Sequence, residues 1–212
     1  MDYVKEAPPV LRDYLVYMET IMGRSPNTVN EYYLDLRTFF RFLLQKRGLV
    51  PSSQPFEEIS IDSIDLRILQ NVTKSDILDF LVFAARERPK FHKSQATTFG
   101  NDMHARARKI SALRGLYKYY CEKVQLIENN PTKGLDTPRS KKELPKYLTL
   151  QESLELLDAV DGPYRERDYC IITLFLNCGM RLSELVSIDY NDIHSDGSLV
   201  ITGKGNKERT VY

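Results

Sequence analysis

Apolar residues recur at intervals of three and four along most of the first 124 positions, which is the spacing of amphipathic helices. One such repeat covers residues 10–22 and is followed by Gly23, a residue type favoured just after a helix. A second covers residues 25–44, with Pro26 in its first turn and Gly48 after its end. The pattern predicts two long helices joined by a tight turn.

Two more helices are predicted after a weakly patterned stretch. Residues 49–72 hold prolines, serines and acidic residues, so we expect a loop with a short helical turn near Ser63. Thr73 and Asp76 have capping-box spacing and predict a third helix that extends to Arg88, where Pro89 closes it.

The fourth helix, after Asn101, has two distinct faces at 100° per residue. The apolar face is expected to pack inward and consists of Ile110, Leu113, Tyr117, Tyr120, Cys121 and Val124. The opposite face carries His104, Arg108, Ser111, Gly115 and Lys118, with Arg114 at its edge. Because glycine has no side chain, Gly115 would allow a backbone or a groove to approach closely.

The last third of the chain changes character. Residues 126–146 contain three prolines and show no amphipathic period, which is typical of an interdomain linker. Thr149 and Glu152 predict a capped helix to Val160, residues 164–178 an apolar helix before Gly179, and a short helix follows from about 182. Residues 199–202 and 210–212 read as strands around a basic hairpin tip at 203–208.

Composition narrows the class of protein. A chain of 212 residues with 42% apolar content can build one large or two ordinary globular domains. Neither a signal-peptide pattern near the first residues nor a run of eighteen apolar residues occurs, and the three cysteines lack metal-ligand or CxxC spacing. We therefore expect buried, reduced thiols and a cytoplasmic location.

The charge is unevenly distributed although the net charge is only +1. Up to Arg139 there are 21 Lys and Arg against 17 Asp and Glu, and from Lys141 onward 9 against 12. Ten of the basic residues fall between Arg86 and Lys123. Such a cluster attracts phosphate, although a solvated charged face has the same composition.

Four local sequences occur in a fixed order along the chain. They are RKISALRGLY at 108–117, Asn130-Pro131 followed by Leu144-Pro145, CGMRLSEL at 178–185 and TGKGNKER at 202–209. Together they resemble the tyrosine recombinase family, specifically its Xer-like and phage-integrase-like members.

The resemblance implies a mainly α fold. An N-terminal helical core-binding (SAM-like) domain of four or five helices would occupy residues 1–128 and clamp DNA, and a linker would occupy 129–146. Residues 147–212 would be the first, incomplete part of a mixed α+β catalytic domain with a β-hairpin.

The resemblance also assigns catalytic residues. Arg181 matches the first catalytic arginine, and a planar guanidinium can bind a scissile phosphate through two parallel hydrogen bonds. The alternative for Arg181 is an ordinary surface ion pair with Glu184. Lys204 matches the hairpin lysine that protonates the leaving 5′ oxygen, with a solvated hairpin tip as its alternative. Lys207 and Arg209 would hold phosphate or base edges.

The remaining family residues have no match in this chain. The His-x-x-Arg pair, a further His or Trp and the nucleophilic tyrosine would lie beyond position 212, so we expect a C-terminally truncated protein that binds DNA without cutting it. Tyr212 is interpreted as a strand residue. His92, His104 and His194 lack an HxxR continuation.

DNA contacts follow from the family's use of its second and fourth helices. The candidates are Thr28, Asn30, Arg37, Arg108, Ser111, Arg114 and Lys118. The aromatic residues Tyr32, Tyr33, Phe39 and Phe40 could form a base-stacking surface, but their helical spacing favours a place in the core.

Three functions remain open at this stage. The first is DNA strand exchange through a 3′-phosphotyrosyl intermediate, without a metal or high-energy cofactor. Its partners would be double-stranded DNA and other recombinase protomers in a tetrameric, possibly hetero-oligomeric, synapse. The second is a non-catalytic DNA-binding protein with the same helical clamp, which would need neither Arg181 nor Lys204. The third is a structural helical module that binds protein, whose binding to a duplex would lack a steep salt dependence.

Overall fold

A computed structural model describes residues 3–51, 53–90, 98–137, 144–203, 205 and 207–212. The chain divides into two compact units, Met1–Lys142 and Glu143–Tyr212. Helices dominate, and the predicted mainly α fold with a hairpin is confirmed.

In the described part of the first unit, the regular structure is helical apart from one short strand pair. Its α-helices are α1 (Tyr3–Glu6), α2 (Pro9–Thr20), α3 (Pro26–Lys46), α4 (Leu66–Gln70), α5 (Lys74–Arg86) and α6 (Met103–Lys118). A 3-10 turn covers Phe56–Glu58, a π-helical turn covers Tyr119–Lys123, and strands β1 (Pro89–Lys90) and β2 (Thr98–Phe99) pair antiparallel.

The helix starts follow the side chains that the sequence supplies. The Ser25 hydroxyl accepts a hydrogen bond from the Thr28 amide at the start of α3. At the start of α5, Thr73 and Asp76 form the predicted capping box. Helix α6 begins after Asp102, whose carboxylate accepts a hydrogen bond from the Ala105 amide.

The core of the first unit lies between α2, α3, α5 and α6, and it contains the aromatic residues of α3. Tyr33, Phe39 and Phe40 are fully buried, and Tyr32 packs against them at the edge, so the predicted core role of these rings is confirmed. The ring of Phe39 meets that of Phe80 edge-on at 5.2 Å between centroids.

Residues 49–72 are more ordered than the predicted loop with one short helical turn near Ser63. The segment contains the 3-10 turn and α4, and it buries Ile59, Ile61, Ile64 and Leu69 in the core. These apolar residues are spaced too irregularly for a helical or strand period, so only the packing identifies them as core.

The end of α6 also differs from prediction. Ile110, Leu113, Tyr117 and Tyr120 are buried as expected, but Cys121 is half-buried and Val124 is exposed. The π-helical turn is the reason, because its wider turn shifts every later residue off the 3.6-residue period.

The beginning of the predicted linker lies in the first unit. Ile127 and Leu135 are buried in the core of that unit, although the sequence around them has no period. The boundaries 1–128, 129–146 and 147–212 stay predictions.

The second unit has a much smaller core. It contains α7 (Leu150–Asp158), α8 (Arg165–Cys178), α9 (Leu182–Val186), a 3-10 turn at Tyr190–Asp192, and the strands β3 (Leu199–Gly203) and β4 (Lys207–Val211). Among its described residues, Met180, Leu199 and Ile201 are the buried apolar ones. Neither α7 nor α8 buries a side chain completely.

The hairpin of the second unit is longer than predicted. Strand β4 begins at Lys207 and pairs antiparallel with β3, with Gly203 opposite Lys207 and Ile201 opposite Arg209. Lys207 and Arg209 therefore lie on a strand and not at the hairpin tip. The sequence pattern did not indicate this part of the strand, because its side chains are polar. Polar side chains are compatible with a strand here because one face of the hairpin is exposed.

The cysteines are more exposed than the sequence predicts. All three thiols are free, but Cys170 is exposed and Cys121 and Cys178 are half-buried, so the prediction of buried cysteines is wrong. Apolar neighbours in the sequence do not bury a residue when the helix itself packs loosely.

Within the described part of the chain, no helix has the length and apolar character needed to cross a membrane.

Candidate functional site

Arg181 stands at the junction between two helices of the second unit. Helix α8 ends at Cys178 and is followed by Gly179, whose backbone is left-handed with φ of 56°. Arg181 follows in extended conformation and immediately precedes α9. Its side chain is 67% exposed, so the guanidinium is accessible from solvent although its backbone is fixed by the corner.

Glu184 holds this arginine in place. The Nη1 of Arg181 donates to Oε1 of Glu184 at 2.6 Å, and the backbone amide of Arg181 donates to Oε2 at 3.0 Å. The ion pair that the sequence offered as an alternative role for Arg181 is therefore present. It does not exclude a phosphate-binding role, because a guanidinium has five N–H donors.

A second arginine binds the same carboxylate. The Nη2 of Arg209, on β4, donates to Oε2 of Glu184 at 2.8 Å. Glu184 is only 3% exposed, and a Cβ at Gly203 would lie 3.0 Å from its Oε1. A glycine at the end of β3 thus lets the hairpin approach the carboxylate closely.

Glu184 carries a negative charge at neutral pH, because its pKa is strongly lowered. The hydrogen bond from Arg209, followed by those from the Arg181 amide and side chain, lowers the pKa of Glu184 to about 2. One buried carboxylate between two guanidinium groups leaves an excess positive charge, which suits an anionic ligand. The sequence indicated Glu184 only as an alternative ion-pair partner of Arg181, and it gave no sign of the contact between Glu184 and Arg209.

The other residues assigned to this site can be placed only in part. Lys204 lies outside the described residues. Lys207 is exposed on β4. Tyr212 lies just after β4 and is 94% exposed, so its prediction as a strand residue is wrong. Among the described residues, no group of three or more His, Cys, Asp or Glu side chains has an arrangement that could hold a metal ion.

The predicted DNA contacts of the first unit lie on α3 and α6, and several of them are already used within the protein. Arg108 contacts Asp35 and Glu31 of α3. Arg37 lies 3.8 Å from Glu6 and over the ring of Tyr33.

Arg114 is also used within the protein, where it holds the segment after α6. Its Nη1 donates to the Thr137 hydroxyl at 2.6 Å, and its Nη2 donates to the Leu135 carbonyl. Lys118 is different, because its side chain is 66% exposed and its contact to Glu122 is loose at 3.9 Å.

The uncharged candidates make mainly local contacts. The Thr28 hydroxyl lies 2.9 Å from that of Ser25, and the Ser111 hydroxyl donates to the Ala107 carbonyl at 3.0 Å. The side-chain oxygen of Asn30 is buried without a hydrogen-bond partner among the described residues.

Gly115 has a role different from the one its position suggested. A Cβ at Gly115 would lie 2.0 Å from the hydroxyl oxygen of Tyr14 on α2. The glycine therefore admits a side chain of the same unit, and this contact packs α2 against α6.

The part of the sequence that contains the Arg181 site matches a known protein family. Residues 146–212, which include α8, α9, the hairpin and the Arg181–Glu184–Arg209 cluster, match the phage integrase family. This segment of the chain therefore belongs to that family.

Its relatives name the branch more closely. The chain is 46% identical to the tyrosine recombinase XerC of Caldanaerobacter subterraneus subsp. tengcongensis, over 97% of this chain and 55% of the relative. It is 31% identical to XerC of Chlamydia muridarum, over 93% of this chain and 60% of the relative. It is 29% identical to the tyrosine recombinase XerD of Halalkalibacterium halodurans, over 95% of this chain and 58% of the relative.

These matches confirm the resemblance to Xer-like tyrosine recombinases that the motifs indicated. It spans little more than half the length of these curated relatives. No solved structure matches it.

Proposed function

We propose that this chain is the DNA-holding portion, with part of the catalytic site, of a recombinase that cuts and rejoins DNA at specific sites. The observation that carries the proposal is the cluster of Arg181, Glu184 and Arg209 within the segment that matches the phage integrase family. The names of the relatives, tyrosine recombinases, supply the reaction class.

In the proposed reaction a tyrosine hydroxyl attacks the scissile phosphate, a phosphotyrosyl bond to the 3′ phosphate forms, and the bond to the 5′ oxygen breaks. Arg181 donates hydrogen bonds to the phosphate oxygens, where negative charge accumulates in the transition state. Lys204 protonates the departing 5′ oxygen, and Lys207 and Arg209 hold phosphate or base edges. The nucleophile is not assigned to any tyrosine of this chain.

The first unit would supply the grip on the duplex. Thr28, Asn30, Arg37, Arg108, Ser111, Arg114 and Lys118 are the proposed contacts, and the basic ones would neutralise backbone phosphates. The covalent intermediate keeps the phosphodiester bond energy for religation, so the reaction needs no metal or high-energy cofactor. The proposed partners are other recombinase protomers in a tetrameric synapse, and the proposed location is the cytoplasm.

The covalent intermediate is the decisive test. DNA retained by the full-length protein is sequenced to find the target site, and a nicked suicide duplex that carries this site is then incubated with the protein. We expect a denaturation-resistant protein–DNA adduct, and Arg181→Ala should lower its yield by at least about 100-fold with duplex binding nearly unchanged.

The matched control is Arg167→Ala, which removes an exposed arginine of α8 and should leave the adduct intact. Site-specific binding without any adduct would contradict the recombinase and support the non-catalytic DNA-binding protein. Loss of the adduct in both variants would show a general loss of fold and not a role of Arg181.

A further inference from the structure

Arg108 of α6 is held against α3 by two carboxylates of different character. Its Nε donates to Oδ2 of Asp35 at 2.8 Å and its Nη2 to Oδ1 at 3.3 Å, while its Nη1 donates to Glu31. Asp35 therefore occupies the side of the guanidinium that Nε and Nη2 form. Glu31 contacts Nη1, which belongs to the opposite, outer edge.

The Asp35 contact is built into the core. Asp35 is 2% exposed and also accepts a hydrogen bond from the buried ammonium of Lys109. Burial lowers the pKa of Lys109, and the carboxylate of Asp35 opposes that change. Two cations share this one buried carboxylate, so Asp35 fixes the orientation of Arg108 at a site that cannot rearrange cheaply.

The Glu31 contact is on the surface. The side chain of Glu31 is 45% exposed, and that of Arg108 is 41% exposed. An exposed ion pair contributes little to stability, because solvent competes and two long side chains lose rotamer freedom. Glu31 can therefore leave the guanidinium at small cost, whereas Asp35 cannot.

The contact with Glu31 determines the net charge of the cluster around Arg108. Glu31, Asp35, Arg108 and Lys109 together carry no net charge, so the cluster as a whole attracts an anion only weakly. With Glu31 moved away, the cluster carries one positive charge on a guanidinium edge that can donate two parallel hydrogen bonds. A DNA phosphate has the charge and the geometry for that edge.

We infer that Glu31 is a competing ligand for Arg108 that sets the affinity of the first unit for DNA. This inference rests on the proposed function, because it requires that a duplex lies against α3 and α6. Glu31 neutralises Arg108 until a phosphate displaces it, and Asp35 keeps the guanidinium positioned throughout. Glu31 thus lowers the affinity for any duplex, and a target site recovers that loss through its additional contacts.

The test is a salt titration of duplex binding, with a fluorescein-labelled duplex of mixed sequence as the probe. Glu31→Gln should tighten binding by roughly two- to five-fold, the range that an exposed ion pair is worth. Glu58→Gln is the matched control, since it removes the same charge from an exposed glutamate in the 3-10 turn, and it should change affinity less.

A double-mutant cycle identifies the partner of Glu31. In the Arg108→Ala background, Glu31→Gln should give no more than a small gain, because the guanidinium for which Glu31 competes is gone. Lys109 remains to pair with Asp35 in that background, and Glu31→Ala repeats the test with a second side chain.

The outcomes separate the two proposals. If the unsubstituted chain shows no salt-dependent binding, DNA binding itself and this inference are both overturned. If it binds and Glu31→Gln equals it in affinity, only the inference fails. An equal gain with and without Arg108 would also overturn the inference, because Glu31 would then act by general repulsion of DNA.

Discussion

Lys109 of α6 and Asp35 of α3 form an ion pair in the interior of the first unit, where each residue is 2% exposed. Asp35 has a second cationic partner in Arg108, whereas the pair with Asp35 is the contact that compensates the buried charge of Lys109. The two residues are therefore unequal, and their substitutions should have unequal effects.

Asp35→Asn should destabilise the chain by about 3–5 kcal/mol, because it leaves the Lys109 ammonium buried without a counter-charge. Lys109→Met should cost clearly less, because Arg108 still neutralises Asp35. Urea unfolding monitored by circular dichroism measures both, with the exposed Asp62→Asn as the control. Equal losses for the two variants would contradict this account of the pair.

Gly115→Ala should destabilise the first unit by about 1–3 kcal/mol, because the new methyl group would overlap the Tyr14 hydroxyl. In an unconstrained helix the same change stabilises by about 0.5–1 kcal/mol, so the sign is informative. In a Tyr14→Phe background the loss should shrink, since the nearest remaining ring atom lies 3.1 Å away. Thermal melting of the four variants tests this, and a penalty independent of Tyr14 would exclude the contact as its cause.

Glu184 should titrate far below its ordinary pKa of 4.5, with a midpoint of about 2. Because folding lowers this pKa, the contribution of Glu184 to stability is complete above pH 4.5 and is lost as the pH falls toward 2. Carbon-13 NMR of the side-chain carboxyl measures the midpoint. Arg209→Ala should move it upward toward 4.5, whereas an unshifted midpoint in the unsubstituted chain would show that neither arginine binds the carboxylate in solution.

Lys118→Ala should weaken duplex binding and lower the slope of log affinity against log salt by about 0.9, without a change in melting temperature. Arg114→Ala should lower both affinity and melting temperature, because Arg114 also holds Leu135 and Thr137. Salt titrations and melting curves on the same preparations distinguish a solvent-facing cation from one that also supports the fold. Unchanged binding for Lys118→Ala would remove it from the proposed contacts.

Most helices could be predicted because their signals are local. The capping boxes at Thr73 and Thr149 and the left-handed Gly179 act over three or four residues, and each lies where the sequence places it. The core segment around Ile59 and Ile64 could not be predicted in this way. Its residues are buried through contacts distant in the chain, and those leave no period in the sequence.

The candidate sites also contain residues with a local sequence signal and contacts without one. Local motifs identified Arg181 and the family, whereas the contact of Arg209 with Glu184 and the partners of Arg108 depend on how strands and helices pack. Arg209 meets Glu184 across 25 positions, and Arg108 meets Asp35 across 73. Contacts between residues this far apart in the chain therefore determine whether a guanidinium is exposed to a phosphate or paired within the protein.

The sequence by itself therefore determined the helices, their caps and the tyrosine recombinase family, since each depends on residue type and short spacing. Tertiary structure alone decided that Gly115 receives Tyr14, that Lys109 is buried against Asp35 and that Glu184 joins two arginines. The physical reason is that burial and charge pairing depend on the distance between side chains in space, which packing sets and spacing along the chain does not.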